Sequence, residues 1–149
     1  MMLKLRTIGS KYLTSGTNYI KIPTTTKQAE KLKLLVSTMN NMLTDLGGVG
    51  LAAPQVGHKE RMFIVSYGDF KQTFINPIIT ETSDECIADV ESCLSVPDRA
   101  VIVKRPDQIH IDYYDENLVL HHGKFKGFLA RIVQHEYDHL KGKLITDYR

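Results

Sequence analysis

Leu32, Leu35, Val36, Met39, Met42, Leu43 and Leu46 recur every three or four residues, a spacing that predicts a long amphipathic helix. One of the threonines in Thr24-Thr25-Thr26 caps its start, and Gly47-Gly48 stops it. Downstream the apolar runs are short and β-rich: Met62-Phe63-Ile64-Val65, Thr73-Phe74-Ile75-Asn76, Ala100-Val101-Ile102-Val103 and Ile109-His110-Ile111-Asp112-Tyr113-Tyr114. Asp115-Glu116-Asn117 turns the last of these into Leu118-Val119-Leu120-His121, as in a hairpin. A second helical pattern runs from about Gly127 to Lys141, with Gly142 as its C-terminal cap. On its wheel Phe128, Leu129, Ile132, Val133, His135, Glu136, His139 and Leu140 share one broad face, opposite a polar stripe of Arg131, Gln134, Asp138 and Lys141. One N-terminal helix, several strands and one C-terminal helix predict an α+β fold with mostly antiparallel strands.

Composition narrows the class without deciding it. The 149 residues are 42% hydrophobic and 24% charged, which fits one globular domain with its own core. A net charge of +2 and no Lys/Arg run argue against a nucleic-acid partner. No stretch approaches the roughly 20 apolar residues of a membrane-crossing helix. The opening Met1-Met2-Leu3-Lys4-Leu5-Arg6 meets Gly9-Ser10-Lys11 too soon for a signal-peptide core, so a cytoplasmic location is expected. Cys86 and Cys93 are expected to be reduced there, and a monomer is expected.

The chemistry concentrates in Gln134-His135-Glu136-Tyr137-Asp138-His139. Residues four apart on a helix point the same way and lie about 6 Å apart along its axis, so His135 and His139 reach one metal ion. Glu136 sits beside them as a general base, the arrangement of H-E-x-x-H metallohydrolases. The third ligand does not follow downstream. The only acid after His139 is Asp147, and the position of a third histidine in the extended motif is Ile145. Upstream candidates are Cys93, Cys86, His121, His122, His110 and His58. A thiolate suits zinc or ferrous iron, and Cys93 is favoured by its small, apolar flanks. Cys86 lies among acids, and His121-His122 reads as a surface pair.

Three segments together resemble the peptide deformylase family. They are Gly48-Val49-Gly50-Leu51-Ala52-Ala53-Pro54-Gln55, Glu91-Ser92-Cys93-Leu94-Ser95 and the run from Gln134 to Gly142. Ser92 stands where that family usually has glycine. The resemblance implies antiparallel β-sheets packed around a central C-terminal metal-binding helix. It implies Cys93, His135 and His139 as ligands of one divalent metal, Fe2+ natively, with Zn2+, Ni2+ or Co2+ as alternatives. It implies Glu136 as the proton-transfer group, and the Gln55 amide and Leu94 N–H as donors to the oxyanion. Val49, Gly50, Phe128 and Ile132 would bind substrate, with the glycines letting its backbone come close. The implied reaction removes formyl from N-formylmethionyl nascent peptides, releasing formate. The chain has no C-terminal extension of the kind that docks on the ribosome, so tethering through such a tail is not expected.

Plainer readings stand beside these. Taken singly, the two histidines could be a satisfied core pair, Gln55 a turn residue and Gly48-Val49-Gly50 an ordinary loop. Glu91 could be a surface acid or a buried partner of Arg105 or Arg99, and Asp138 reads as a structural salt bridge. Two rival functions are an amidase for other N-acyl groups and a catalytically dead metal-binding domain. Glu136 and Gln55 argue against the second, since a dead copy needs neither.

Overall fold

The structure is a computed structural model that describes residues 2–22 and 25–148. Helix α1 spans Thr26–Leu46. Thr25 caps it reciprocally: its Oγ1 accepts from the Gln28 N–H at 3.2 Å, and its own N–H donates to Gln28 Oε1 at 3.4 Å. Gly47 ends it in the left-handed conformation. Of the threonines named for the cap, Thr24 lies outside the described residues.

Among the described residues seven strands follow: β1 (Gly50–Ala52), β2 (Met62–Tyr67), β3 (Phe70–Thr82), β4 (Cys86–Cys93), β5 (Val96–Pro106), β6 (Gln108–Tyr114) and β7 (Leu120–Lys126). Helix α2, Gly127–Leu140, follows β7, and a 3-10 turn, Ile145–Asp147, comes after it. All the strand pairs are antiparallel, in a five-stranded sheet of order β1-β2-β3-β6-β7 and a separate β4–β5 ribbon. The expected α+β class holds.

The unbroken apolar run in β2 has a simple cause: both faces of the large sheet are covered. Met62 and Ile64 pack with Leu35, Val36, Met39 and Leu43 of α1. Phe63 and Val65 point the other way and pack with Ala130, Ile132, Val133 and Leu140 of α2. The sheet is thus held between the two helices, with Phe63 and Phe74 stacked at 4.7 Å beneath α2. The Asp115 turn forms as expected. Its carboxylate accepts from the Asn117 and Val119 N–H groups at 2.8 and 3.1 Å, and Leu118 takes a left-handed conformation.

Three expectations need correction. Arg131, Gln134 and Asp138 are not an exposed stripe; they are 7, 6 and 8% exposed, because the β4–β5 ribbon covers that side of α2 and supplies a partner for each. Of the four, only Lys141 is exposed. Phe128, placed on the buried face, is 49% exposed and leans on Tyr67 with ring centres 5.1 Å apart. Helix α2 stops at Leu140, one residue early, and Gly142 takes its positive φ beyond the cap. Strands β1 and β4 carried no periodic signal, being short or exposed along most of their length.

Candidate metal centre

The tip of the β4–β5 ribbon meets α2 at the site. Ser92 pairs with Ala100, but the register then slips and Cys93 pairs with Val96, a bulge that turns the thiol inward. Cys93 Sγ lies 3.4 Å from His139 Nε2. One donor atom from each of Cys93, His135 and His139 falls within 4.8 Å of the others. Among the described residues no other trio of His, Cys, Asp or Glu converges in this way. The other upstream candidates stand apart. His58 pairs with Glu60, His110 with Glu81, His121 with Asp115 and His122 with Asp112, while Cys86 Sγ contacts the Asp84 carbonyl at 3.7 Å.

Glu91 anchors the trio. Arg105 grips it through Nε and Nη2 at 2.6 and 2.8 Å, and Arg131 Nη1 donates to it at 2.6 Å. Its Oε1 lies 2.9 Å from His135 Nδ1, which leaves His135 Nε2 free to face the trio. Of the two arginines named for Glu91, Arg105 is the partner and Arg99 is exposed. The second partner, Arg131, was missed. The signal for it was its position four residues before His135, on the same side of the helix.

Burial opposes the charge on Glu91, yet Arg105 and His135 outweigh it and hold its pKa down at about 2. Burial also lowers His135, but Cys93, Glu91 and Glu136 more than reverse this and carry it to about 10. At His139, burial, then the His135 charge and Arg105, push the pKa well below its usual value. The cage therefore stabilises positive charge beside one ring and keeps a lone pair on the other. A divalent transition ion held by one thiolate and two imidazoles meets both demands, so the donor set fits a metal.

Glu136 is fully enclosed, and burial lifts its pKa to about 7. Its Oε1 finds no hydrogen-bond partner among the described residues. Gly50 makes room for it: a Cβ there would fall 2.6 Å from Glu136 Oε2. Gly48 likewise admits the Leu94 side chain, which a Cβ would meet at 2.9 Å. The two glycines thus clear space for site residues, beyond any room they leave for a substrate.

Gln55 is aimed by its own turn. Its Oε1 accepts from the Ala52 N–H at 2.9 Å, leaving Nε2 to donate towards Ser95 Oγ at 3.1 Å and Cys93 Sγ at 3.8 Å. Two backbone bonds from the N-terminal segment hold these loops together: Arg6 N–H to the Gln55 carbonyl at 2.6 Å and Ile8 N–H to the Ser95 carbonyl at 2.8 Å. Ser95 and this staple were also missed. A staple made of main-chain groups leaves no side-chain pattern to read.

A cleft of about 510 Å³ opens over the trio. Val49, Gly50, Gln55, Cys93, Leu94, Phe128, Ile132, His135 and Glu136 line it, so the structure gathers nearly all the expected residues in one place. His139 lies beneath, almost fully buried.

The model of the polypeptide deformylase family matches residues 2–149. The chain belongs to the polypeptide deformylase family. It is 42% identical to the peptide deformylase of Dictyoglomus turgidum over 147 residues, covering 99% of this chain and 92% of that one. Against the Treponema pallidum (strain Nichols) enzyme, identity is 44% over 118 residues, covering 79% and 73%. A Met-Ala-Ser-bound crystal structure of the class I type b peptide deformylase from Acinetobacter baumannii superposes with a TM-score of 0.92 at 30% identity, covering 100% of this chain and 99% of that one. The deformylase family consists of metal-dependent hydrolases that remove the N-formyl group from newly made polypeptides, and that is the activity of this chain. Among the described residues no helix is long and apolar enough to cross a membrane.

Proposed function

We propose that Cys93, His135 and His139 hold one divalent metal ion, Fe2+ natively with Zn2+, Ni2+ or Co2+ as substitutes, and that Glu136 moves the proton during deformylation of formylmethionyl peptides. When bound, the ion supplies Lewis acidity and brings the pKa of a coordinated water towards about 7. Glu136 takes the proton of the attacking water and returns it to the leaving amine as the formyl C–N bond breaks. Burial raises the Glu136 pKa above the usual carboxylate range, which favours a group that both takes and returns a proton.

The formyl oxygen gains negative charge as its carbon becomes tetrahedral. Gln55 Nε2, oriented by the bond from Ala52, and the Leu94 N–H are the donors that meet it. Losing one such donor costs roughly a hundredfold or more in rate. The methionine side chain enters the apolar part of the cleft between Val49, Phe128, Ile132 and the His135 ring. The peptide backbone runs beside Gly50, because β1 is the edge strand of its sheet and an extended segment can lie along it. Met-Ala-Ser is bound in the crystal structure of the Acinetobacter relative, which supports a short peptide as the occupant of this cleft.

The observation that carries the proposal is the enclosed Glu136 carboxylate, with one oxygen unpartnered, beside the Cys93, His135 and His139 donors. The test is formate release from formyl-Met-Ala-Ser, with anaerobic metal analysis of the same preparation. Cys93→Ala should lose metal and formate release together. Stoichiometric metal retained in that variant would overturn the ligand set. Equal cleavage of acetyl-Met-Ala-Ser would favour a general N-acyl amidase.

A further inference from the structure

The geometry points to Tyr148 as a positioning residue for the metal centre, acting from outside the cleft through Asp138, Arg105 and Glu91. This rests on the reading that Cys93, His135 and His139 hold the metal. Tyr148 Oη donates to Asp138 Oδ2 at 2.5 Å. The same oxygen accepts from Arg105 Nη1 at 2.9 Å, and that nitrogen also reaches Tyr148 Oη at 3.2 Å. The Tyr148 ring lies against the guanidinium, 5.0 Å from carbon to ring centre. Arg105 then clamps Glu91 with its other two nitrogens, and Glu91 receives His135 Nδ1. Four charge-assisted links therefore join Tyr148 to the ring that must present Nε2 to the metal.

The segment that carries Tyr148 is itself built to stay in place. The Leu144 N–H donates to Asp147 Oδ2 at 2.8 Å, and the Tyr148 N–H to the Ile145 carbonyl at 3.1 Å. Ile145 packs with Cys93 and Val96, so the segment touches the trio by packing as well as through charge. Tyr148 does not line the cleft. Without its hydroxyl and ring, the Arg105 guanidinium gains freedom to turn, and Glu91 loses its fixed direction towards His135. Groups that orient metal-ligating histidines in this way are typically worth about 10- to 100-fold in metal affinity.

Metal affinity by chelator competition, with the visible spectrum of the Co2+ form, should be compared in the parent, Tyr148→Phe, Tyr148→Ala and Leu35→Ala. Leu35 sits in the α1 core and does not line the cleft, so it serves as a control for general destabilisation. Tyr148→Phe should lose about tenfold in affinity and Tyr148→Ala more, with shifted cobalt bands. KM for formyl-Met-Ala-Ser should stay within about twofold, because Tyr148 is outside the cleft. Leu35→Ala should melt lower yet bind metal as the parent does. Parental affinity in both Tyr148 variants would overturn the proposal, and so would an equal loss of affinity in Leu35→Ala. A parent that holds no stoichiometric metal would instead overturn the metal-centre reading itself.

Discussion

Helices α1 and α2 are buried in opposite ways. Helix α1 hides an aliphatic stripe, Leu32, Leu35, Val36, Met39 and Leu43, and turns its polar residues to solvent. Helix α2 is buried nearly all round, and Arg131, Gln134, Glu136, Asp138 and His139 are among its hidden residues. One helix is held by removal of apolar surface from water, which needs no particular partner. The other is held partly by charges that are tolerable only while every one is matched. A scaffold tolerates the first kind of burial loosely, whereas a site that must point an imidazole in one direction requires the second.

Breaking a match in α2 should therefore do the greatest damage. Glu91→Ala strands Arg105 and Arg131 without their carboxylate, both under 8% exposed. The expected cost is about 3–5 kcal/mol, measured by denaturant unfolding, with loss of metal. The same contrast has a pH signature. Glu91 has its pKa depressed from 4.5 to about 2, so its contribution is complete above the first value and is lost as pH falls through the second. The stability gap between parent and Glu91→Ala should narrow across that acid window.

Leu35→Ala in α1 comes next, at about 2–5 kcal/mol for a buried leucine truncated to a cavity. Its kcat/KM at a temperature where the protein is folded should match the parent. Thr25→Ala sharpens the comparison at the small end. Losing the capping hydroxyl should cost about 1 kcal/mol by the same unfolding measurement, with no change in formate release. A large catalytic defect in either α1 variant would mean that the two regions are not separable.

The same contrast explains what could be read in advance. The α1 stripe, its cap region and its Gly47 stop were legible because burial by apolar residues leaves a periodic trace. The doubly covered β2 also showed, as an unbroken run. The polar side of α2 misled, because a wheel sorts residues by type and cannot see a ribbon arriving to pair with them. That Cys93, His135, His139 and Gln55 converge was legible from their motifs, since the proposed ligand chemistry restricts residue type at fixed spacing. The reason for Gly50 was not, because the contact that a Cβ would make, with Glu136, crosses 86 positions of chain that only the fold brings together. Nor was the link to Tyr148, whose partners Arg105 and Asp138 lie on two other elements.

The most direct test of the central claim concerns Glu136. Glu136→Gln keeps the shape of the side chain and removes its ability to carry a proton. Metal content and formate release from formyl-Met-Ala-Ser should be measured on the same sample. Glu136→Gln should hold a full equivalent of metal and show a fall in kcat of at least about a hundredfold. Parental formate release from that metal-loaded variant would contradict the proton-transfer role of Glu136.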